Sequence, residues 1–369
     1  MNYSYWELKE WFSNVDFTIV GSGIVGLNCA LTLKKQHPKA KIVILEKGML
    51  PQGASTKNAG FACFGSLSEL IDDLSTHSTE EVYNLVDNRW RGLQLLRENL
   101  GDQNIDYQQN KGFELCDSEE FFEECISQKK VINDLLNPIF KSDVFSVSDN
   151  TFHFKKVHSK YIVNNFEGQI DTGKMAFQLL QKVQKLGVKI LNNISVESFV
   201  TQDSSMEVKT DKINFKTQKL FIATNGFAKQ FVAEEVQPAR AQVLITTPIK
   251  NLKIKGTFHL DKGYYYFRNV DNRILFGGGR NLDFKTEETA VFGQTPRIQN
   301  ELEKILKEII LPNTSFEIEH RWSGIMGVGP QKKAIVKQLS DNVFCGVRLG
   351  GMGVAIGSLV GKELGELLT

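Results

Sequence analysis

The stretch VDFTIVGSGIVGLNCALTLKKQHPKAKIVILEKG, residues 15–48, constrains this 369-residue chain more than any other. Residues 16–20 form a short apolar run that predicts a strand. Gly21, Gly23 and Gly26 follow at G-x-G-x-x-G spacing, with Ile24 and Val25 opening an apolar helical pattern over 24–36. A second apolar run, 41–45, ends at Glu46. Each glycine has a separate use: Gly21 for the tight turn, Gly23 for close approach of backbone to a pyrophosphate, Gly26 for packing of helix on sheet. The helix N-terminus aims its amides at phosphate. Glu46 stands 20 positions beyond Gly26, where a carboxylate accepts hydrogen bonds from ribose hydroxyls. An acid there suits an unphosphorylated adenosine ribose, so the stretch alone predicts FAD or NAD rather than NADP.

Three later segments favour FAD. GASTKNAGF (53–61) places Ala54, Ser55, Thr56, Asn58, Ala59 and Gly60 just after the ribose position, where small and amide side chains bring donors against phosphate and flavin. KLFIATNG (219–226) is a buried strand ending in a turn at Ala223, Thr224, Asn225 and Gly226. NVFCGVRLGGMGVAIGSLVGKELGELL (342–368) reads as strand, glycine loop and helix. That helix N-terminus, with Gly350, Gly351, Met352, Gly353 and Val354 before and within it, suits the pyrimidine edge of a reduced flavin. Lys47, Val196 and Gly324 complete the expected cofactor contacts.

Together these motifs resemble the D-amino-acid oxidase superfamily of FAD-dependent oxidoreductases, nearest the glycine and sarcosine oxidase and γ-glutamylputrescine oxidoreductase branch. GSGIVGLNCAL…VILEKG, GASTKNAGF, EGQIDTGKMAFQLLQKVQKLGVKIL, LFIATNG, RWSGIMG and GGMGVAIG recur in that order, and Tyr5-Trp6 precedes the first strand. The resemblance implies an α/β fold: a Rossmann-like FAD-binding domain (1–80, 150–226, 322–369) with a discontinuous α+β mixed-sheet substrate domain (81–149, 227–321). It implies oxidation of a C–N bond of an amine or amino acid to an imine, with O₂ or another acceptor reoxidising the flavin. Two alternatives stay open on sequence: flavin-dependent oxidation of a hydroxy acid or polyol, and a non-catalytic FAD-binding protein.

Within that resemblance the chain departs from pattern. The arginine that clamps a substrate carboxylate is replaced by Met326, and no cysteine lies near Ile325 to tether the flavin, so FAD is expected to be non-covalent. The lysine that some relatives carry near the end of the flavin loop is also missing, with Ala355 in that region. Arg348, between the last strand and the flavin loop, is the candidate replacement for a carboxylate, since a guanidinium binds one in bidentate fashion. GYYYFRN (263–269) alternates so that Tyr264 and Tyr266 share one face, expected to orient substrate, while Tyr265 and Phe267 share the other. Lys57 is read as solvated or touching FAD, Asn58 as bonded to FAD or its own loop, and Cys63 as an ordinary buried thiol. His77, His153 and His158 have no metal-ligand spacing; no metal is expected.

Along the chain, helical spacing appears at 68–74, 80–100 and 171–186. A strand is expected near 112–116, a helix from Ser118 with Glu119 and Glu120 in its first turn, a strand at 188–190, and a hairpin around Asp271-Asn272. The formal net charge of +1 gives no field favouring nucleic acid or anionic membrane. Five scattered cysteines, the lack of a signal-peptide pattern and the shortness of the apolar run 349–361 predict a cytoplasmic chain with no transmembrane segment. Oligomeric state is not legible.

Overall fold

A computed structural model describes residues 2–202, 205–233 and 235–368. Among these residues two eight-stranded sheets dominate, beside a separate two-stranded ribbon of Phe61–Ala62 with Gly168–Gln169.

The first sheet runs Ile335–Ser340, Val343–Val347, Asn214–Ile222, Val15–Val20, Ile42–Leu45, Lys189–Leu191. Four of the five neighbour pairs along this path are parallel, and the edge strand Ile335–Ser340 pairs antiparallel. Ile42–Leu45 is an unbroken apolar run, all four residues buried, because helices and loops cover both faces of a parallel sheet. Helix Ile24–Gln36 has the bounds that its apolar pattern predicts and packs on Gly353–Glu366. An antiparallel hairpin, Val196–Gln202 with Ser205–Thr210, branches from the long strand Asn214–Ile222.

The second sheet runs Ile318–Val328, Gln237–Thr246, Arg273–Gly278, Tyr265–Val270, Thr257–Leu260, Gly112–Leu115, Lys160–Asn164, Phe145–Asp149. One face is an aromatic core in which Phe258, Phe267 and Phe276 pack with Phe154, Tyr161 and helix Pro296–Ile305. The other faces the first sheet. The hairpin at Asp271-Asn272 forms with φ 46° and 61°, the double left-handed turn that matches strand twist.

Helices Leu67–Thr76 and Thr79–Leu100 begin at Ser66 and Ser78, each closing a capping box with the glutamate at the third helical position. Glu119–Phe140 is capped by Ser118 and Thr172–Lys185 by Asp171. Two segments cross the expected domain boundaries. Lys160–Asn164, assigned by sequence to the FAD-binding part, pairs inside the second sheet with Gly112–Leu115 and Phe145–Asp149. The C-terminal half of Thr79–Leu100 belongs to the first sheet's core through Leu93, Leu96 and Leu100, while Val82 and Val86 pack with Glu119–Phe140. A 22-residue helix is long enough to serve both cores. No helix among the described residues is long and apolar enough to cross a membrane.

Candidate flavin and substrate site

A cavity of about 800 Å³ runs between the two sheets, from Ile194 and Val196 at one end to Tyr264 and Arg280 at the other. At the first end, Val15–Val20 delivers the chain into the glycine turn and helix Ile24–Gln36 presents its N-terminus to the cavity. The Ile24 amide donates to Ser55 Oγ at 2.9 Å. A Cβ on Gly23 would sit 2.8 Å from that hydroxyl and would push it off the Ile24 amide. Glu46, buried, accepts from the Ser22 amide (3.1 Å) and hydroxyl (2.8 Å) and from the Gly48 amide (3.0 Å), which fixes the carboxylate at the cavity wall. Lys47 Nζ lies 3.4 Å from the Phe227 ring centre, and burial pulls its pKa below the ordinary lysine value. Thr224 Oγ1 is buried without a partner. An orphaned hydroxyl, a glycine cradle and a helix N-terminus at one wall are the donors a dinucleotide diphosphate needs, and the residues present fit FAD.

Gly21, Gly23, Ile24, Val25, Glu46, Lys47, Ala54, Ser55, Asn58, Ala59, Val196, Ala223 and Thr224 line the cavity. So do Asn225, Gly226, Gly324, Gly350, Gly351, Met352, Gly353 and Val354. Three expected contacts stand behind it. Gly26 packs the helix on the turn, where a Cβ would meet Gly21 O at 2.0 Å. Thr56 turns its hydroxyl to Pro51 O at 2.6 Å. Gly60 is enclosed by Ile170 and Arg268. Asn58 reaches the wall with its amide spent on its own loop, donating to Ser55 O and accepting from the Gly60 amide, both at 2.8 Å.

At the other end, one row of cross-strand neighbours builds the roof, Glu114, His259, Tyr266, Gly277, Val243 and Trp322, of which His259, Tyr266 and Val243 line the cavity itself. Tyr266 lies over Gly277, whose Cβ would come 2.7 Å from the ring. Burial pushes the Tyr266 phenol up to about 12, so it stays a hydrogen-bond donor. Tyr264 also lines the cavity, while Tyr265 and Phe267 enter the aromatic core as alternation requires. Trp322 donates from Nε1 to Lys57 O at 2.9 Å. Lys57, Met326 and Cys63 line the walls, and burial raises the Cys63 thiol well above its usual value.

Arg348 is a correction. Its φ is 63° and its side chain is buried away from the cavity lining, with Nε and Nη2 donating to Lys333 O at 3.2 and 3.1 Å and Nη1 to Glu235 O at 3.3 Å. Its donors are spent on tying loops together, not aimed at a substrate. Sequence reading missed four other polar residues. Arg280, half-buried after Gly278-Gly279, lines the cavity and stacks on Phe284 at 4.7 Å; burial lowers its pKa, and it makes no ion pair among the described residues. Glu69 lines the wall near Gly263. His259 lines it from the roof and bonds the fully buried Glu167 at 2.6 Å. Burial opposes the His259 charge, but Glu167, with Glu69 and Glu114, outweighs it and raises the imidazole to about 9. A signal for His259 existed: in Thr257–Leu260 it alternates with the core residues Phe258 and Leu260, and so must face the cavity.

A glycine turn with a helix N-terminus at one end and a roof of polar side chains at the other share one chamber between two mixed sheets, as a flavin-dependent oxidoreductase requires. The chain belongs to the family of FAD dependent oxidoreductases, which matches residues 16–367. It is 20% identical over 384 residues to the probable oxidoreductase OrdL of Haemophilus influenzae, covering 96% of this chain and 83% of that protein. It is 21% identical over 373 residues to the gamma-glutamylputrescine oxidoreductase of Escherichia coli, with the same coverage. Among solved structures, L-proline dehydrogenase from P. horikoshii superposes with a TM-score of 0.76 at 18% identity, over 96% of this chain and 93% of that one. At that identity the superposition shows the fold alone.

Proposed function

We propose that this chain oxidises a C–N bond of an amine or amino acid to an imine, which water then hydrolyses. The observation that carries the reading is the roofed end of the cavity, where Tyr264, Tyr266, Arg280, Glu69 and His259 meet opposite the flavin loop of Gly350–Gly353. FAD, held by the Gly21–Gly26 turn, Glu46 and that loop, supplies the two-electron acceptor. The protein's own part is to orient the C–N bond, exclude water and hold the charges of the substrate. Tyr264 and Tyr266 offer phenols to the substrate's polar atoms, and the aromatic walls Phe61 and Tyr266, in edge contact at 5.6 Å, keep the chamber apolar around the reacting carbon. One relative acts on a nitrogen compound by name, a gamma-glutamylputrescine oxidoreductase, which supports the C–N class.

With Met326 at the clamp position and Arg348 engaged elsewhere, Arg280 is the arginine on the cavity wall, so any substrate carboxylate is directed to it. Larger or N-substituted amines are expected to outpace glycine. Anaerobic mixing of the FAD-loaded protein with a panel of primary and secondary amines, amino acids and 2-hydroxy acids tests the reading. Bleaching of the flavin absorbance by the nitrogen compounds alone supports it, and bleaching by hydroxy acids alone overturns it.

A further inference from the structure

An acidic corner lies beneath the roof. Glu69 is the third residue of helix Leu67–Thr76. Its Oε2 accepts from the Ser66 amide at 2.8 Å in the capping box, which fixes the side chain. Its Oε1 makes no hydrogen bond among the described residues, and Glu69 forms no ion pair there. The carboxylate lies against the turn at Gly263, where a Cβ would come 2.8 Å from Glu69 Cδ. Gly263 also has φ 80°, so the turn leaves room for this carboxylate by excluding other residues. Of the three glutamates on the cavity wall, Glu46 serves the ribose end and Glu197 adjoins Val196 at the far end. Glu69 stands with Tyr264, Tyr266 and His259.

A second observation points to a ligand at the same corner. His259 is 6% exposed and bonds Glu167 through Nε2 alone. Its Nδ1 has no partner among the described residues. The ring is on the cavity wall, held in edge contact with Phe61 at 5.4 Å. An imidazole fixed at one nitrogen and open at the other presents a polar atom to whatever enters.

We propose that Glu69 receives the positively charged nitrogen of the substrate through Oε1 and takes its proton. The N–H bond of the ammonium breaks, the O–H bond of the Glu69 carboxyl forms, and the nitrogen keeps the electron pair as a neutral amine. The imidazole of His259 then faces a neutral nitrogen rather than an ammonium, and the two groups divide the work: carboxylate to attract and deprotonate, imidazole to disfavour return of the charge. This rests on the C–N reading above and names its substrate as one that arrives as a cation. A carboxylate elsewhere on the substrate is met by Arg280, which lines the same cavity.

The test uses tert-butylammonium, which has no hydrogen on the carbon next to nitrogen and cannot be oxidised. Its binding to the FAD-loaded protein is followed by calorimetry or by perturbation of the flavin spectrum, beside neutral tert-butanol. Glu69→Gln keeps the capping box, since glutamine serves at that position. The variant is expected to bind tert-butylammonium at least tenfold more weakly and tert-butanol unchanged. With an oxidisable amine, flavin bleaching in the variant is expected to rise about tenfold per pH unit up to the amine's own pKa, because only the neutral amine is then competent. Equal affinity for the cation in both proteins overturns the proposal. A weakened cation site with the wild-type pH profile overturns proton acceptance by Glu69. If instead no amine bleaches even the wild-type flavin, the C–N reading fails, while the cation-binding result stands by itself.

Discussion

The two ends of the cavity are built by different means. The phosphate end is made of backbone: Gly23, the helix N-terminus at Ile24 and the turn at Ala223–Gly226 act through what they leave open or through amides. Nearly all of it comes from short runs of contiguous sequence. The roofed end is made of residues drawn from six strands and a helix, 69, 114, 259, 266, 277, 243 and 322, that meet only after the second sheet pairs. A site made of backbone demands particular residues at particular spacings, whereas a site made of cross-strand neighbours tolerates many, provided that register holds. The first should therefore fail abruptly on substitution and the second by degrees.

The largest expected effect is at the phosphate end. Gly23→Val puts a branched side chain where a Cβ alone already meets Ser55 Oγ at 2.8 Å, and disrupts the 2.9 Å bond that sets the helix N-terminus. The variant is expected to purify without FAD, read as absorbance near 450 nm against 280 nm (~450 and ~280 nm being the general flavin and protein bands). A full complement of flavin would place the phosphate elsewhere. In the wild type, acid or heat is expected to release all the flavin. Cys63 is the cysteine on the cavity wall, and burial holds it as a thiol rather than the nucleophilic thiolate. Flavin remaining on the denatured chain would contradict this.

At the roofed end, two arginines sharpen the contrast. Arg280→Met removes an unpaired guanidinium from the wall, and Arg348→Met removes a buried tie between loops. If the substrate carries a carboxylate, Arg280→Met is expected to raise KM about a hundredfold, roughly 2.7 kcal/mol, the scale of a lost charge-assisted bond. Arg348→Met is expected to lower the stability read from urea unfolding by about 1–3 kcal/mol with KM little changed, because three bonds from the side chain to backbone carbonyls are lost. The reverse pattern would restore Arg348 as the carboxylate anchor.

What was legible follows the same division. The strand, turn, helix and strand of residues 15–45 come out within one residue of the pattern, because each step is local. Tyr264 and Tyr266 face the cavity because period-two alternation is local as well. Arg348 was misjudged since its neighbours in sequence, not in space, suggested a flavin-loop role. Its partners, Lys333 and Glu235, come from two other loops. Glu69 was hidden for a different reason. Ser66-Leu67-Ser68-Glu69 reads as a capping box, which it is, and one oxygen of the carboxylate suffices for that task. Glu167 carries no signal in its own segment, since only strand pairing brings it to His259.

The smallest effect expected, and the most local, is in the pH dependence of stability. His259 is faced by Glu167 from the loop before Gly168, by Glu114 from the neighbouring strand and by Glu69 from helix Leu67–Thr76. Its folded pKa of about 9 lies above the ordinary 6.5. A raised histidine pKa contributes stability that is complete below the unfolded value and disappears as pH climbs through the folded one. From pH 7 to 9 the loss amounts to about 2 kcal/mol. Replacing the pair with neutral groups, His259→Asn with Glu167→Gln, removes this titration and avoids leaving a lone buried charge. Urea unfolding of both proteins at pH 7, 8 and 9 gives the difference directly. It is expected to shrink steadily in that direction, most steeply near pH 8, between the unfolded and folded values, and to level off beyond pH 9. A difference that stays constant across the range would mean that His259 is neutral in the folded protein. The roof would then present an uncharged imidazole to the substrate, and Glu69 alone would govern the charge of its nitrogen.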